Sequence, residues 1–179
     1  MNTLIRLTHY DPKWRQEFQQ TRSGVLMCCL GWVDAVEHIG STAISGLIAQ
    51  PVIDVVARVS DPAGLAEATR SIEGMNFRVV NDAASGSDTV LGAIELVKPR
   101  HGQWTHRVFL VSRESTFWQN AIDVRDHLRR HREVALRFEQ LKVDQWRESG
   151  AEPAGYQHSK NLFFSHLLDQ INARRQQDQ

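Results

Sequence analysis

The sequence predicts an α+β fold: a mixed β-sheet with helices packed on one side and a wholly helical C-terminal part. Three observations carry this. Strand-like segments occupy the middle of the chain, between an opening helix and a closing run of helices. Pro51 to Val59 is an almost unbroken apolar run, the mark of a largely buried strand. Two Asp-Pro pairs, Asp11-Pro12 and Asp61-Pro62, stand where helices should start.

Taken in order, Asp11 caps a helix with Pro12 at its first position. Trp14, Phe18 and Val25 then recur at helical spacing, and Gly31 ends it. Trp32 to Ile39 reads as a strand, the residues after Ser41 as a helical turn, and Pro51 to Val59 as the buried strand. Asp61-Pro62 opens a helix to Glu73, closed by Gly74, and Phe77 to Val80 is a short strand. Small polar residues from Asn81 to Asp88 make a loop. Thr89–Val97 and Trp104–Ser112 follow as antiparallel strands joined by Lys98 to Gln103. Ser115 caps a helix to Arg130, a second runs from His131 to Glu148 with Val134, Leu141 and Trp146 partly in register, and a third runs from Tyr156 to Ala173. A polar tail after Asn172 should fray.

At 179 residues the chain can bury one core, so residues 1–179 are expected to form one domain. Lys plus Arg equals Asp plus Glu at 21 each, which gives no reason to expect nucleic acid as a partner; no aromatic-basic interleaving suggests a stacking platform either. Between Lys98 and Arg147, however, eleven basic residues face six acidic ones, a surplus that suits a polyanionic ligand such as a nucleotide or a solvated helix face. The two cysteines, Cys28 and Cys29, adjoin in an expected helix, where they should face different directions and not form a metal-binding pair. They suggest reduced thiols and a cytoplasmic setting. No apolar run is long enough to span a bilayer, and the opening residues lack a signal-peptide pattern, so no membrane is expected as a partner.

The most informative stretch is Glu37-His38-Ile39-Gly40-Ser41-Thr42-Ala43-Ile44-Ser45-Gly46-Leu47, followed by Pro51-Val52-Ile53-Asp54-Val55-Val56. It reads as a strand, a glycine-led turn into a short helix, and a strand bearing one carboxylate. A Gly-Ser turn lets backbone approach a phosphate, since Gly40 has no Cβ and the following N–H groups point outward. Asp54 is the only charged residue between Pro51 and Ala57. An ionised carboxylate there must be paired, metal-bound or at a strand end, which makes Asp54 a candidate ligand for a metal beside that phosphate.

These residues resemble the signature of the GrpB family, which is similar to the polymerase-β-type nucleotidyltransferase superfamily; a similar block occurs in a domain appended to some dephospho-coenzyme A kinases. The resemblance extends to Tyr10 through Trp14, Phe18, the strand around His106, Val124 to Arg129, Leu141-Lys142, Tyr156 and Lys160. It implies a nucleotidyltransferase-like fold and a metal-dependent transfer from a nucleoside triphosphate to an unknown acceptor. Gly40 and Ser41 would hold phosphates, Asp54 would be catalytic and bind Mg²⁺ or Mn²⁺, and Arg100, Arg125, Arg129, Tyr156 and Lys160 would contact substrate. Glu37, His38 and His106 are candidate further metal ligands.

The sequence departs from the pattern in three places. Ser45 stands where the family tends to have Pro, and Gln50 where it tends to have Lys before Pro51. Val56 stands where the superfamily carries a second acid on the same strand face. Its absence brings up an alternative: a catalytically degenerate nucleotide-binding or scaffold module. Metal hydrolase chemistry through His38, His106 and Asp54 would need a tight ligand cluster.

Overall fold

A computed structural model describes residues 4–81, 92–150 and 153–177, with side chains of the last segment described from Ser159 onward. Its elements are α1 (Lys13–Cys28), β1 (Val33–Ile39), a 3₁₀ turn (Ser41–Ala43), β2 (Ile53–Val59), a second 3₁₀ turn (Pro62–Gly64), α2 (Leu65–Glu73), β3 (Arg78–Asn81), β4 (Ile94–Lys98), β5 (His106–Ser112), α3 (Thr116–Arg130), α4 (Arg132–Glu148) and α5 (Pro153–Gln177). The expected starts hold locally. Asp11 accepts the Lys13 N–H at 2.9 Å, Asp61 the Ala63 N–H at 2.9 Å and Ser115 the Phe117 N–H at 3.3 Å. The loop expected from Asn81 to Asp88 lies beyond the described residues from position 82.

The sheet order is β1-β2-β5-β4-β3, with β2 and β5 parallel and the other pairs antiparallel. Its twofold alternation sorts side chains between two cores. Ile53, Val55, Ala57, Val108 and Leu110 close against Trp14, Phe18 and Val25 of α1 and Ala68 and Ile72 of α2. On the other face, Val56, Phe109 and Val111 close against Phe117, Trp118 and Ala121 of α3. Helices therefore cover both faces, not one side as the element order suggested. The continuous apolar run of β2 reflects this, because a strand covered on both sides has no polar face to show.

A third cluster joins the C-terminal helices to the Gly-Ser turn: Ile44 and Leu47 pack with Leu128, Ala135, Phe138, Leu167 and Ile171. The buried face of α4 is Ala135, Phe138 and Lys142, one position off the register read from Val134 and Leu141. α5 continues to Gln177 rather than fraying after Asn172, with Arg175 paired to Asp123 at 2.7 Å. Cys28 and Cys29 also differ from expectation. Cys29 lies past the helix end with φ −106°, so the two thiols approach to 3.5 Å, and burial pushes the Cys29 thiol up to about 12. No helix among the described residues is long and apolar enough to cross a membrane.

Candidate functional site

The Gly-Ser turn is held at Gly40, Thr42 and Ala43, each in a different way. Gly40 has φ 72° and ψ −173°, a backbone region open essentially only to glycine. It also lies directly over β2: a Cβ added there would sit 3.0 Å from the Asp54 Cβ and closer still to its Oδ2. Thr42 donates its hydroxyl proton to the Val52 carbonyl at 3.2 Å, so its other contact, His38 Nε2 at 3.0 Å, must be the donor. His38 is buried and stacked on Phe18 with ring centres 4.7 Å apart; burial, opposed by the charge of Asp54, lowers it to about 4 and keeps it neutral. Arg129 then clamps the turn's end, donating to the Ala43 carbonyl at 3.0 and 2.9 Å.

Under this turn opens a cavity of about 520 Å³ between β2, β5, α3 and α5. Gly40, Ser41 and Asp54 line it together, as the sequence pattern required of a shared site. Arg107 of β5 stands beside Asp54 in the sheet register and donates to its Oδ1 at 2.8 Å, with Glu95 of β4 at 3.5 Å from the same guanidinium. Burial disfavours the Arg107 charge, but Asp54 and then Glu95 more than offset this, and its pKa is raised. Lys160 of α5 lines the same cavity. Burial chiefly, with Arg107 adding to it and Asp54 opposing, lowers it to about 8. Phe109, Phe117 and Phe164 supply an apolar wall.

Other expected site residues fall elsewhere, and strand alternation accounts for the two histidines. His106 pairs in register with Ile53, so it projects from the sheet face opposite Asp54; its Nδ1 lies 2.8 Å from the Thr105 hydroxyl, and burial and Lys98 lower it to about 4. Glu37 accepts from Arg125 at 2.5 Å and, with His38, lines a second cavity across the turn. As further metal ligands Glu37, His38 and His106 are thus corrected: none converges with Asp54. Arg100 is corrected too, because it donates to the carbonyls of Phe77, at 2.9 Å, and Glu73, holding the end of α2. Arg125 borders both cavities, and Arg129 only the second. The side chain of Tyr156 lies outside the described ones.

Sequence reasoning missed Arg107 and Glu95. Arg107 is the one charged side chain of β5, Glu95 the one acid of β4 and Asp54 the one acid of β2, but only the register brings the three together. Their arrangement bears on the expected metal. A guanidinium bridges Asp54 to Glu95 where a metal joining two carboxylates would have to lie, and Val56, where a second acid would be, is fully buried. Among the described residues no three His, Cys, Asp or Glu side chains converge into a metal-holding set. The residues as arranged do not fit a divalent-metal centre.

Comparison with known proteins agrees with this geometry at the level of fold. The profile of the GrpB protein family matches residues 4–170. The glutamate-rich protein GrpB of Alkalihalophilus pseudofirmus is 24% identical over 178 residues, covering 94% of this chain and 95% of that protein. A UPF0157 protein of Streptomyces coelicolor is 42% identical over 57 residues, a stretch covering 32% of this chain and 30% of that relative. Among solved structures, the conserved protein GrpB from Enterococcus faecalis superposes with TM-score 0.82 at 21% identity, covering 95% of this chain and 99% of that one. The Cid1 poly(U) polymerase superposes with TM-score 0.50 at 9% identity, covering 84% of this chain and 49% of that one.

Proposed function

The chain belongs to the GrpB family and shares its sheet with nucleotidyltransferases, and from that premise we propose that it binds a nucleotide or another phosphate-bearing small molecule under the Gly-Ser turn. One observation carries this reading: Ser41, Arg107 and Lys160 converge on one cavity of nucleotide size, about 520 Å³, whose remaining wall is aromatic. Phosphates would meet the cations and the Ser41 hydroxyl, and an uncharged ring would meet Phe109, Phe117 and Phe164. Arg107 does electrostatically for Asp54 what a metal would otherwise do, so binding without a divalent ion is the primary expectation. A cytoplasmic setting belongs to the same proposal, supported by two free thiols.

The test is a thermal-shift screen of nucleoside mono-, di- and triphosphates with and without Mg²⁺ or Mn²⁺, since a ligand of the folded state raises the melting temperature. On this reading a nucleotide raises it without metal, and Lys160→Met abolishes the rise. Affinity should also fall as pH rises through about 8, where Lys160 loses the proton that attracts phosphate. No shift with any nucleotide at millimolar concentration overturns the reading.

A second reading, nucleotidyl or phosphoryl transfer to an unknown acceptor, is favoured by Asp54 and Glu95 lying in one cavity. Mg²⁺ or Mn²⁺ arriving with a triphosphate is part of that reading, and it requires Arg107 to leave Asp54. A shift that depends strictly on metal would favour it.

A further inference from the structure

Across the Gly-Ser turn from the first cavity lies a second, of about 560 Å³, enclosed by α1, the end of β1, the 3₁₀ turn, α3 and the start of α4. The two share only Ile44, Arg125 and Leu128, and neither Asp54, Arg107 nor Lys160 reaches the second. Four arginines from three helices line it: Arg15, Arg125, Arg129 and Arg132. Glu37 is its single acid.

How each guanidinium is held decides what the cavity attracts. Arg125 is neutralised, by Glu37 at 2.5 Å and Asp126 at 2.7 Å. The other three are paired weakly or not at all. Arg129 spends two nitrogens on the Ala43 carbonyl, with its closest carboxylate, Asp126, 3.7 Å from Nη1. Arg132 donates to the Ser45 carbonyl at 3.2 Å. Among the described residues, neither Arg15 nor Arg132 has a carboxylate partner. A backbone carbonyl fixes a guanidinium without cancelling its charge, so the cavity is left with converging, oriented cations. Arg129 registers the crowding: burial, then Arg125 and Arg15, lower its pKa despite the opposing Asp126 and Glu37.

We propose that this second cavity is a separate anion-binding site, taking a small molecule that carries a phosphoryl group. The planar guanidinium fork matches phosphate oxygens two at a time, which a lysine ammonium cannot do. Tyr10 and Phe18 on the α1 side give an apolar surface to the rest of the ligand. The site stands independently of the reading given to the first cavity, because it uses none of that cavity's cations.

Inorganic pyrophosphate tests it directly, by calorimetric titration of the full chain, with citrate as a carboxylate probe. The variants are Arg15→Ala with Arg132→Ala, both exposed and outside the first cavity, and Lys160→Met in the first cavity. The expected result is pyrophosphate binding that the double variant weakens at least tenfold and Lys160→Met leaves within twofold, with citrate weaker than pyrophosphate. Arg15→Lys with Arg132→Lys should recover only part of the loss, since charge returns but the fork does not. Should the double variant fail to fold, Arg15→Ala alone carries the test, with a loss of threefold or more. Three outcomes overturn the proposal: no pyrophosphate binding by the wild type, binding unaltered by the arginine variants, or binding removed by Lys160→Met alone. Citrate binding as tightly as pyrophosphate would replace a phosphoryl ligand by a carboxylate one.

Discussion

The two faces of β2 use one alternating strand for opposite purposes. Ile53, Val55 and Ala57 are fully buried against α1 and α2, and the histidine beside them on β1, His38, is held neutral. Asp54, on the other face, meets Arg107 and an open cavity, and two residues further Val56 returns to a closed core. The charges that line the first cavity, Asp54, Glu95 and Arg107, each sit at the second position of their strand on the α3 face. Functional candidates are therefore separated from structural ones by which face they occupy, more than by residue type.

The most disruptive way to challenge that division is Val56→Asp, which restores the missing second acid. Its side chain would replace a fully buried Val packed with Ile39, Phe109 and Val111, leaving a carboxylate without a partner. We expect a loss of about 4 kcal/mol by urea denaturation. A loss below about 1 kcal/mol would mean that the α3 face is open further along the strand than the packing implies.

Gly40→Ala probes the point where turn and acid meet. The φ of 72° strains any side chain, and the added methyl overlaps Asp54. Together these should cost about 3 kcal/mol. Adding Asp54→Gly should recover only the overlap, so a double-mutant cycle separates the clash from the backbone strain.

How much of this was legible in the sequence follows from the same alternation. The Gly40-Ser41 turn, the lone acid Asp54 beside it and the capped starts at Asp11, Asp61 and Ser115 were readable because caps, glycines and apolar periods are local signals, whereas the start of β4 and both ends of α5 were missed. His38 and His106 were misassigned because a period of two gives the face only relative to neighbours, and strand order was unknown; Glu37 shares the face of Asp54 but is held by Arg125. His106 adjoins Arg107 in sequence yet lies on the other side of the sheet. Arg107 and Glu95 could not be recognised as partners of Asp54, since their meeting depends on a parallel β2-β5 pairing that brings residues 53 positions apart into register. The histidines were attractive ligands by type, but His38 spends its Nε2 on Thr42 and His106 faces away from Asp54, and burial lowers the pKa of both.

That last point has a pH signature on the core face. His38 sits at about 4 in the folded protein against about 6.5 when unfolded, so the unfolded state binds more protons between these values. Its contribution is intact above pH about 6.5 and is lost as pH falls towards 4, up to about 2–3 kcal/mol. His38→Gln can still donate to Thr42 and should flatten this part of the stability profile, measured as urea midpoints from pH 7 to 4. An unchanged slope would mean that other groups dominate, with His106, lowered in the same direction, the first to examine.

The smallest expected effect is the most discriminating one for the α3 face. Asp54→Asn keeps size but weakens the 2.8 Å bond from Arg107, while Glu95 still lies 3.5 Å from that guanidinium. Because the pair is partly exposed, the loss should be about 1–2 kcal/mol, less than for a buried ion pair. Its effect on ligands is where the two functional readings part. If Arg107 and Lys160 receive phosphate directly, removing the negative charge between them should leave nucleotide binding equal or tighter, with no dependence on divalent metal. If the site instead works as a transferase in which Asp54 must take a metal, the same substitution should remove metal-dependent binding and turnover. Titrating nucleotide into wild type and Asp54→Asn with and without Mg²⁺ therefore reads the role of the carboxylate directly. Tighter binding in the variant would leave Asp54 as the counterion that holds Arg107 in place.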